Sequence, residues 1–304
     1  MKIIVTGGAG FIGSHAVDHL INDGHEVLVI DNLSTGKLNN LNHKADFENI
    51  DITDSRISDV VKAFDPNVIS HFAAQTSVSI STNNPILDAY SNIIGSMKVF
   101  DAMNETECRN FIYINTGGAL YGEPDYLPLD ESHRINPISP YGLSKWTAER
   151  YLLMRKKPYQ HVKTLRLSNV YGPRQDAFGE AGVVSIFSNK MLSGEPVTIF
   201  GDGKQTRDFV YVEDVVEAFK QVIKKDETFS VNISSGKTVS INELYELMSQ
   251  ICRNSMSPNY ESVRHGDLMH SVLSNKLASE LFGWAPRVDL VEGIKRTLSW
   301  HASN

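Results

Sequence analysis

Directly behind a short β-branched run, Ile3–Thr6, stand Gly7, Gly8, Gly10 and Gly13, and an amphipathic helical pattern opens at Ile12. A strand that turns on glycines straight into a helix commits the chain to a βαβ unit. In Gly8-x-Gly10-x-x-Gly13 the first glycines make a tight turn and let backbone approach a pyrophosphate. The last lets helix and strand pack closely; Gly7 adds a second glycine spacing with Gly10 and Gly13. The opening helix then presents N–H groups and the positive end of its dipole to phosphates. A plain glycine turn explains the spacing equally well, so the context has to decide. The second strand, Glu26–Asp31, ends on an acid. A carboxylate there hydrogen-bonds a ribose 2′-hydroxyl and repels a 2′-phosphate, so the pattern favours NAD over NADP. Asn32-Leu33-Ser34 brings no arginine to reverse that preference, and Lys37 is the nearest cation.

The first half continues the alternation. Phe47–Ile50, Val68–Phe72, Phe111–Asn115 and Lys163–Leu167 read as strands; Ile12–Asn22, Ser55–Phe64, Pro85–Asn104 and Ser139–Arg155 read as helices. That order predicts an α/β fold, a Rossmann-type doubly wound parallel sheet. After Leu167 the texture changes. Asn169–Gly182 reads as a loop, Ser185–Leu192 as a helix, Val197–Phe200 as a strand, and Glu213–Lys224 and Asn242–Cys252 as further helices. Residues 1–167 are expected to form the dinucleotide domain, rejoined by about 207–235 through Ser230–Ile233, and residues 168–304 a smaller C-terminal α/β lobe.

The net charge of -7 gives no basic footprint for nucleic acid. No apolar run approaches the roughly 20 residues of a membrane span, and no secretory leader is visible, so a cytoplasmic protein is expected. Cys108 and Cys252 cannot build a disulfide framework. His15 and His19, at i and i+4, lack a third ligand, and His265 and His270 lack a cluster; no metal is expected.

Tyr141-Gly142-Leu143-Ser144-Lys145 puts a phenol and an ammonium on one face of a predicted helix. A free tyrosine is a poor base at neutral pH, but a neighbouring ammonium favours the phenolate. Beside a dinucleotide site the pair makes a usable general base.

Taken in order, Gly7–Gly13, Asp31-Asn32-Leu33, His71-Phe72-Ala73-Ala74, Leu120-Tyr121-Gly122, Ser139–Lys145, Asn169-Val170-Tyr171-Gly172-Pro173 and Arg207-Asp208-Phe209 resemble the extended short-chain dehydrogenase/reductase superfamily. Within its NAD-dependent epimerase/dehydratase family the pattern is most similar to the UDP-glucose 4-epimerases, over nearly the whole chain. The resemblance implies bound NAD, a UDP-sugar substrate taken by the C-terminal lobe, a place in galactose metabolism, and a homodimer built on the helices Pro85–Asn104 and Ser139–Arg155. It implies cofactor contacts from Gly7, Gly10, Phe11, Ile12, Gly13, Asp31 and Asn32. Asp51 and Ile52 would flank the adenine, Phe72, Ala73 and Ala74 the ribose side, and Asn92 the nicotinamide half, beside Tyr141 and Lys145. Asn169 and Val183 would meet the UDP-sugar. Arg207 and Arg264 would neutralise its diphosphate, Asp267 would hold the nucleoside, and Ser271 would border the sugar's C2 substituent.

The sequence departs from the family at one place. The hydroxyl residue usual five positions before the glycine of Tyr121-Gly122 is here Gly117, with Thr116 one earlier. Thr116 is taken as the third catalytic group, hydrogen-bonding the sugar 4-oxygen. The reaction this implies is reversible C4 epimerisation of a UDP-hexose through a transient 4-keto sugar. A 4,6-dehydratase or decarboxylase needs further acids just after the catalytic threonine, where this chain has Gly117 and Gly118. A UDP-glucuronate 4-epimerase and a non-catalytic NAD sensor are the remaining alternatives. The small Ser271 predicts that N-acetyl sugars fit as well, an activity that Ser271→Tyr should depress selectively.

Overall fold

Ile3, Ile4, Val5 and Thr6 of the first strand, β1 (Lys2–Thr6), are all fully buried. A strand with no polar face belongs in the middle of a sheet covered on both sides. The computed structural model describes residues 1–177, 182–253, 256–263 and 268–303. In it seven parallel strands run in the order β3 (Asp46–Glu48), β2 (Glu26–Ile30), β1, β4 (Val68–His71), β5 (Asn110–Thr116), β6 (His161–Leu167) and β11 (Phe229–Ile233). The chain winds one way from β1 to β3 and the other way from β4 onward. The direction reverses between β1 and β4, and in open α/β sheets ligands bind in the crevice at that point.

On one face of the sheet α1 (Phe11–Asn22) packs beside α8 (Val212–Ile223). On the other lie α2 (Ile57–Phe64), α5 (Ser96–Met103) and α6 (Pro140–Arg155). A third apolar cluster joins α7 (Val183–Leu192), α9 (Ile241–Cys252) and α11 (Leu290–Ser303) to a parallel pair, β7 (Asn169–Tyr171) with β10 (Phe209–Tyr211). Two further small ladders complete this region: β8 (Thr198–Phe200) with β13 (Asn259–Glu261), and β9 (Thr206–Arg207) with β12 (Val239–Ser240). The last short helix, α10 (Lys276–Phe282), packs against β11.

Three expectations need correction. Pro85–Asn104 is not one helix. It divides into α4 (Pro85–Ala89), a π-helical segment Tyr90–Gly95, and α5. The wide segment ends at Gly95, where a side chain would meet Ile52 Cδ1 at 2.6 Å, and it hands the Asn92 carbonyl to the Ser96 hydroxyl at 2.6 Å. The segment Asn169–Gly182 is not wholly a loop, because Asn169–Tyr171 forms β7. Its partner β10 lies 40 residues away, and nothing local announces a three-residue strand. Val78–Asn83, where no helix is expected, forms α3, capped by the Ser77 hydroxyl on the Ile80 N–H.

Candidate active site

The carboxyl ends of β1 and β4 meet at the crevice. Gly7 turns there with φ +71°, and a Cβ on it would sit 2.6 Å from the Ala73 nitrogen. Gly13 lies tighter still, where a Cβ would stand 2.2 Å from the Gly7 carbonyl oxygen. Gly10 precedes α1 in extended conformation, no side chain caps the helix, and its first turn carries no acid. The first N–H groups of α1 therefore lack an intrahelical acceptor and suit an anion. A dinucleotide pyrophosphate fits this cradle.

Asp31 is buried at the end of β2. Its carboxylate accepts the Ala9 N–H at 3.0 Å and the Leu33 N–H at 2.8 Å, bracing the glycine turn from behind. Asn32 donates to Asp51 Oδ2 at 2.6 Å, and Thr53 donates to Asp51 Oδ1 from both backbone and hydroxyl. Burial pushes the Asp51 carboxyl up, but those hydrogen bonds outweigh it and leave it below its ordinary value. Ile52 packs against Gly95. The Phe72 ring turns onto Phe219, with 5.5 Å between centroids. Ala74 is half-buried beyond it.

At the neighbouring end, Ser139 caps α6 by accepting the Gly142 N–H, and Pro140 fills its first position. Tyr141 is anchored by its backbone N–H, which donates to Ser81 of α3. One turn on, Lys145 is buried with its Nζ 4.3 Å from the centre of the Tyr113 ring. Burial lowers its pKa to about 7, while the carboxylates of Asp88 and Glu149 pull it back up. Asp88 is itself buried and accepts from Gln75 Nε2 at 2.8 Å and Asn92 Nδ2 at 3.0 Å.

Thr116 closes β5. Its hydroxyl oxygen accepts the Ala119 N–H at 3.2 Å, which leaves the hydroxyl hydrogen to donate elsewhere. The next two residues differ in kind. A Cβ on Gly117 would strike Leu273 Cδ1 at 2.3 Å, whereas one on Gly118 would meet only Asn169 Oδ1 at 3.9 Å and Thr116 Oγ1 at 4.0 Å. Thr116, Asn169 and the open side of Gly118 thus border one space. Val183 is the half-buried first residue of α7. Arg207 on β9 donates from Nη1 to the Thr206 carbonyl, and Ser271 is buried with its N–H on the same oxygen. Arg264 and Asp267 lie outside the described residues, as does His265.

Sequence reasoning passed over His71, which ties the two ends together. Its Nε2 lies 2.9 Å from Ser96 Oγ, and Ser96 donates to the Asn92 carbonyl. The Ser96 oxygen must therefore accept, so His71 carries its proton on Nε2. Its Nδ1, at 2.7 Å, accepts from Thr6, whose oxygen takes the Ala73 N–H at 3.3 Å. One directional chain thus joins the cofactor turn to the π-helical segment. Burial, and then the Lys145 charge, lower the His71 pKa to about 3. An unfolded chain protonates histidine near 6.5, so stability from this residue is full above that pH and drains as pH falls toward about 3. The expected slope is roughly 1.4 kcal/mol per pH unit. Urea denaturation between pH 7 and pH 4 should show it, and His71→Asn should flatten it. His15 adds a slope of the same sign over a narrower pH range. It is lowered to about 4 by burial while its Nε2 donates to the Pro173 carbonyl at 2.9 Å, a link between α1 and the loop after β7. Among the described residues no group of three His, Cys, Asp or Glu is placed to hold a metal ion, and no helix is long and apolar enough to cross a membrane.

Known proteins share this architecture and sequence. The profile of the NAD dependent epimerase/dehydratase family matches residues 3–234. A putative UDP-glucose 4-epimerase of Methanocaldococcus jannaschii is 46% identical over 99% of both chains. The crystal structure of the Thermotoga maritima UDP-glucose 4-epimerase with UDP-glucose superposes with a TM-score of 0.96 at 45% identity, over 99% of this chain and 98% of that one. The Thermus thermophilus UDP-glucose 4-epimerase, solved with NAD, gives a TM-score of 0.93 at 38% identity over 99% of both chains.

Proposed function

This chain belongs to the NAD-dependent epimerase/dehydratase family, and on that premise we propose that it interconverts the C4 epimers of a UDP-hexose, with UDP-glucose and UDP-galactose as the principal pair. The observation that carries this reading is the pair after Thr116. Gly117 is sealed by Leu273 and Gly118 is open but carries no side chain, so neither position supplies the acids that an elimination or a decarboxylation needs.

NAD, when bound, supplies reversible hydride acceptance at the sugar's C4, so the sugar passes through a 4-keto form with no net redox change. The cradle from Gly7 to Gly13 and the opening of α1 hold its pyrophosphate, and Asp31 and Asn32 its adenosine ribose. The Tyr141 phenolate takes the proton of the 4-hydroxyl and returns it. The Lys145 ammonium keeps Tyr141 ionised, and the Thr116 hydroxyl donates to the 4-oxygen. Asn169, Val183 and Arg207 contribute the UDP-sugar wall, so on this reading residues 168–304 supply most of the substrate recognition and residues 1–167 with β11 the cofactor site.

The deciding experiment is incubation of the purified protein with UDP-galactose and no electron acceptor. UDP-glucose should accumulate to equilibrium. A stable 4-keto-6-deoxy product, or a decarboxylated sugar from UDP-glucuronate, would replace this reading. Parallel runs with the UDP-N-acetylhexosamines test the room left by the small, buried Ser271.

The same reading includes a homodimer working in the cytoplasm on galactose. What supports the dimer is an exposed apolar stripe where α4 and the π-helical segment run beside α6. Ile86 and Met154 are 82% and 75% exposed, with Leu87, Tyr90, Leu143 and Tyr151 between them. A stripe of this kind marks an interaction surface. Sedimentation velocity should give twice the chain mass, and Met154→Lys should shift it toward one.

A further inference from the structure

Below the site lies a buried ion pair that the proposed chemistry does not use. Glu149 on α6 and Arg166 on β6 are both buried, with Nη2 and Oε1 2.6 Å apart. Asn115, Arg166 and Asn232 stand side by side in register across β5, β6 and β11. The Glu149 carboxylate is fully engaged. Its Oε2 accepts from Asn115 Nδ2 at 2.6 Å and Arg166 Nε at 3.3 Å, and its Oε1 also takes the Ser230 hydroxyl at 2.8 Å.

Two arms lead from the pair to the loop that carries Thr116. Asn115 Oδ1 accepts the Thr116 N–H at 2.8 Å. Arg166 Nη1 donates to the Tyr121 hydroxyl at 3.2 Å, and that hydroxyl donates to Asn232 at 2.8 Å. Both ends of the segment from Thr116 to Tyr121 are therefore pinned to one ion pair. Gly117 and Gly118, between them, have no side chains with which to hold the loop. Burying such a pair gives little net stability over apolar side chains of like volume, so stability alone does not account for it.

Glu149 also continues the face that carries the chemistry. Tyr141, Lys145 and Glu149 follow at successive turns of α6, so the Glu149 Cα is about 6 Å along the axis from that of Lys145 and about 12 Å from that of Tyr141. The groups acting on Lys145 are Asp88 from α4, Glu149 from its own helix, the Tyr113 ring from β5 and neutral His71 from β4, with Tyr141 one turn before it on α6. The two carboxylates are the charges that favour its ammonium form.

We propose that Glu149 is a positioning residue of this site, fixing the Thr116 loop through Asn115 and Arg166 and holding Lys145 charged so that Tyr141 stays ionised. The proposal rests on the epimerase reading, and its test separates the two. Asn115→Ala cuts one arm and leaves the ion pair intact. It should lower kcat by roughly 10- to 100-fold, as expected for a misplaced reacting group, with KM for the UDP-sugar and the bound NAD nearly unchanged. Glu149→Gln keeps the acceptor for Asn115 and removes the charge. Lys145 then loses its proton more readily, and the Tyr141 phenol, followed by ultraviolet difference against Tyr141→Phe, should titrate about one pH unit higher. Where Glu149→Gln alone does not fold, Asn115→Ala carries the test through its split between kcat and KM. A wild-type kcat in Asn115→Ala, or a wild-type Tyr141 titration in the charge variant, overturns the proposal. A wild-type protein that turns over no UDP-sugar overturns the epimerase reading, and the titration still tests Glu149.

Discussion

Replacing Tyr141 with phenylalanine should lower kcat by about 10²- to 10⁴-fold, the range for loss of a positioned general base. The protein should still fold and hold its cofactor. The anchor between Tyr141 and Ser81 is a backbone N–H donating to a hydroxyl, which phenylalanine keeps, and the ring volume is nearly conserved. The pH profile adds a second check. The working form of Tyr141 is the phenolate, so the wild-type rate should fall as pH drops through the phenol's pKa. That pKa depends on the Lys145 ammonium, which burial lowers to about 7 against the pull of Asp88 and Glu149. In Tyr141→Phe the residual rate should lose this acid limb. A variant that kept most of its turnover, or kept the limb, would assign the proton transfer to another group.

The second large effect is expected at the other end of the site. Gly13→Ala places a methyl group 2.2 Å from the Gly7 carbonyl oxygen. Both atoms belong to the backbone frame, so no rotamer change relieves the contact and α1 must move off the turn. The expected cost is about 1–3 kcal/mol of stability, typical of overpacking. The functional loss should be larger, because the N–H groups of α1 meet a pyrophosphate only while helix and turn stay in contact. Purified Gly13→Ala should carry little NAD, measured as cofactor released on denaturation. A variant with a full complement of NAD would show that the cradle tolerates the shift and that the contact is not what holds the cofactor.

These two residues illustrate what could be read without coordinates. Gly13 and Tyr141 belong to local patterns, one a strand-to-helix turn and the other a one-turn helical spacing, and such patterns survive in a linear text. Glu149 sits one further turn along the same face and was legible in principle, but a carboxylate at that spacing is usually solvated, and only its burial changes the meaning. His71 was visible within His71-Phe72-Ala73-Ala74 and was still missed as a link. Its partners Thr6 and Ser96 lie 65 and 25 residues away. Asp88 had no local signal at all. The π-helical segment was hidden for a related reason. Tyr90–Gly95 carries a helical pattern, and nothing in that pattern distinguishes the wider π ladder from an α one.

By itself, the order of residues determined the winding of the sheet, the dinucleotide turn, the acid at Asp31 and the phenol–ammonium pair. Each rests on backbone geometry that repeats over a few residues, with the period of a helix, a strand or a turn. The tertiary structure alone decided which charges act on that pair and what steadies the loop of Thr116. Those depend on burial and on contacts between strands far apart in the chain, such as Asn115, Arg166 and Asn232. In a low-dielectric interior, an ionised group's behaviour is set by the neighbours that replace water, and those neighbours are chosen by the fold.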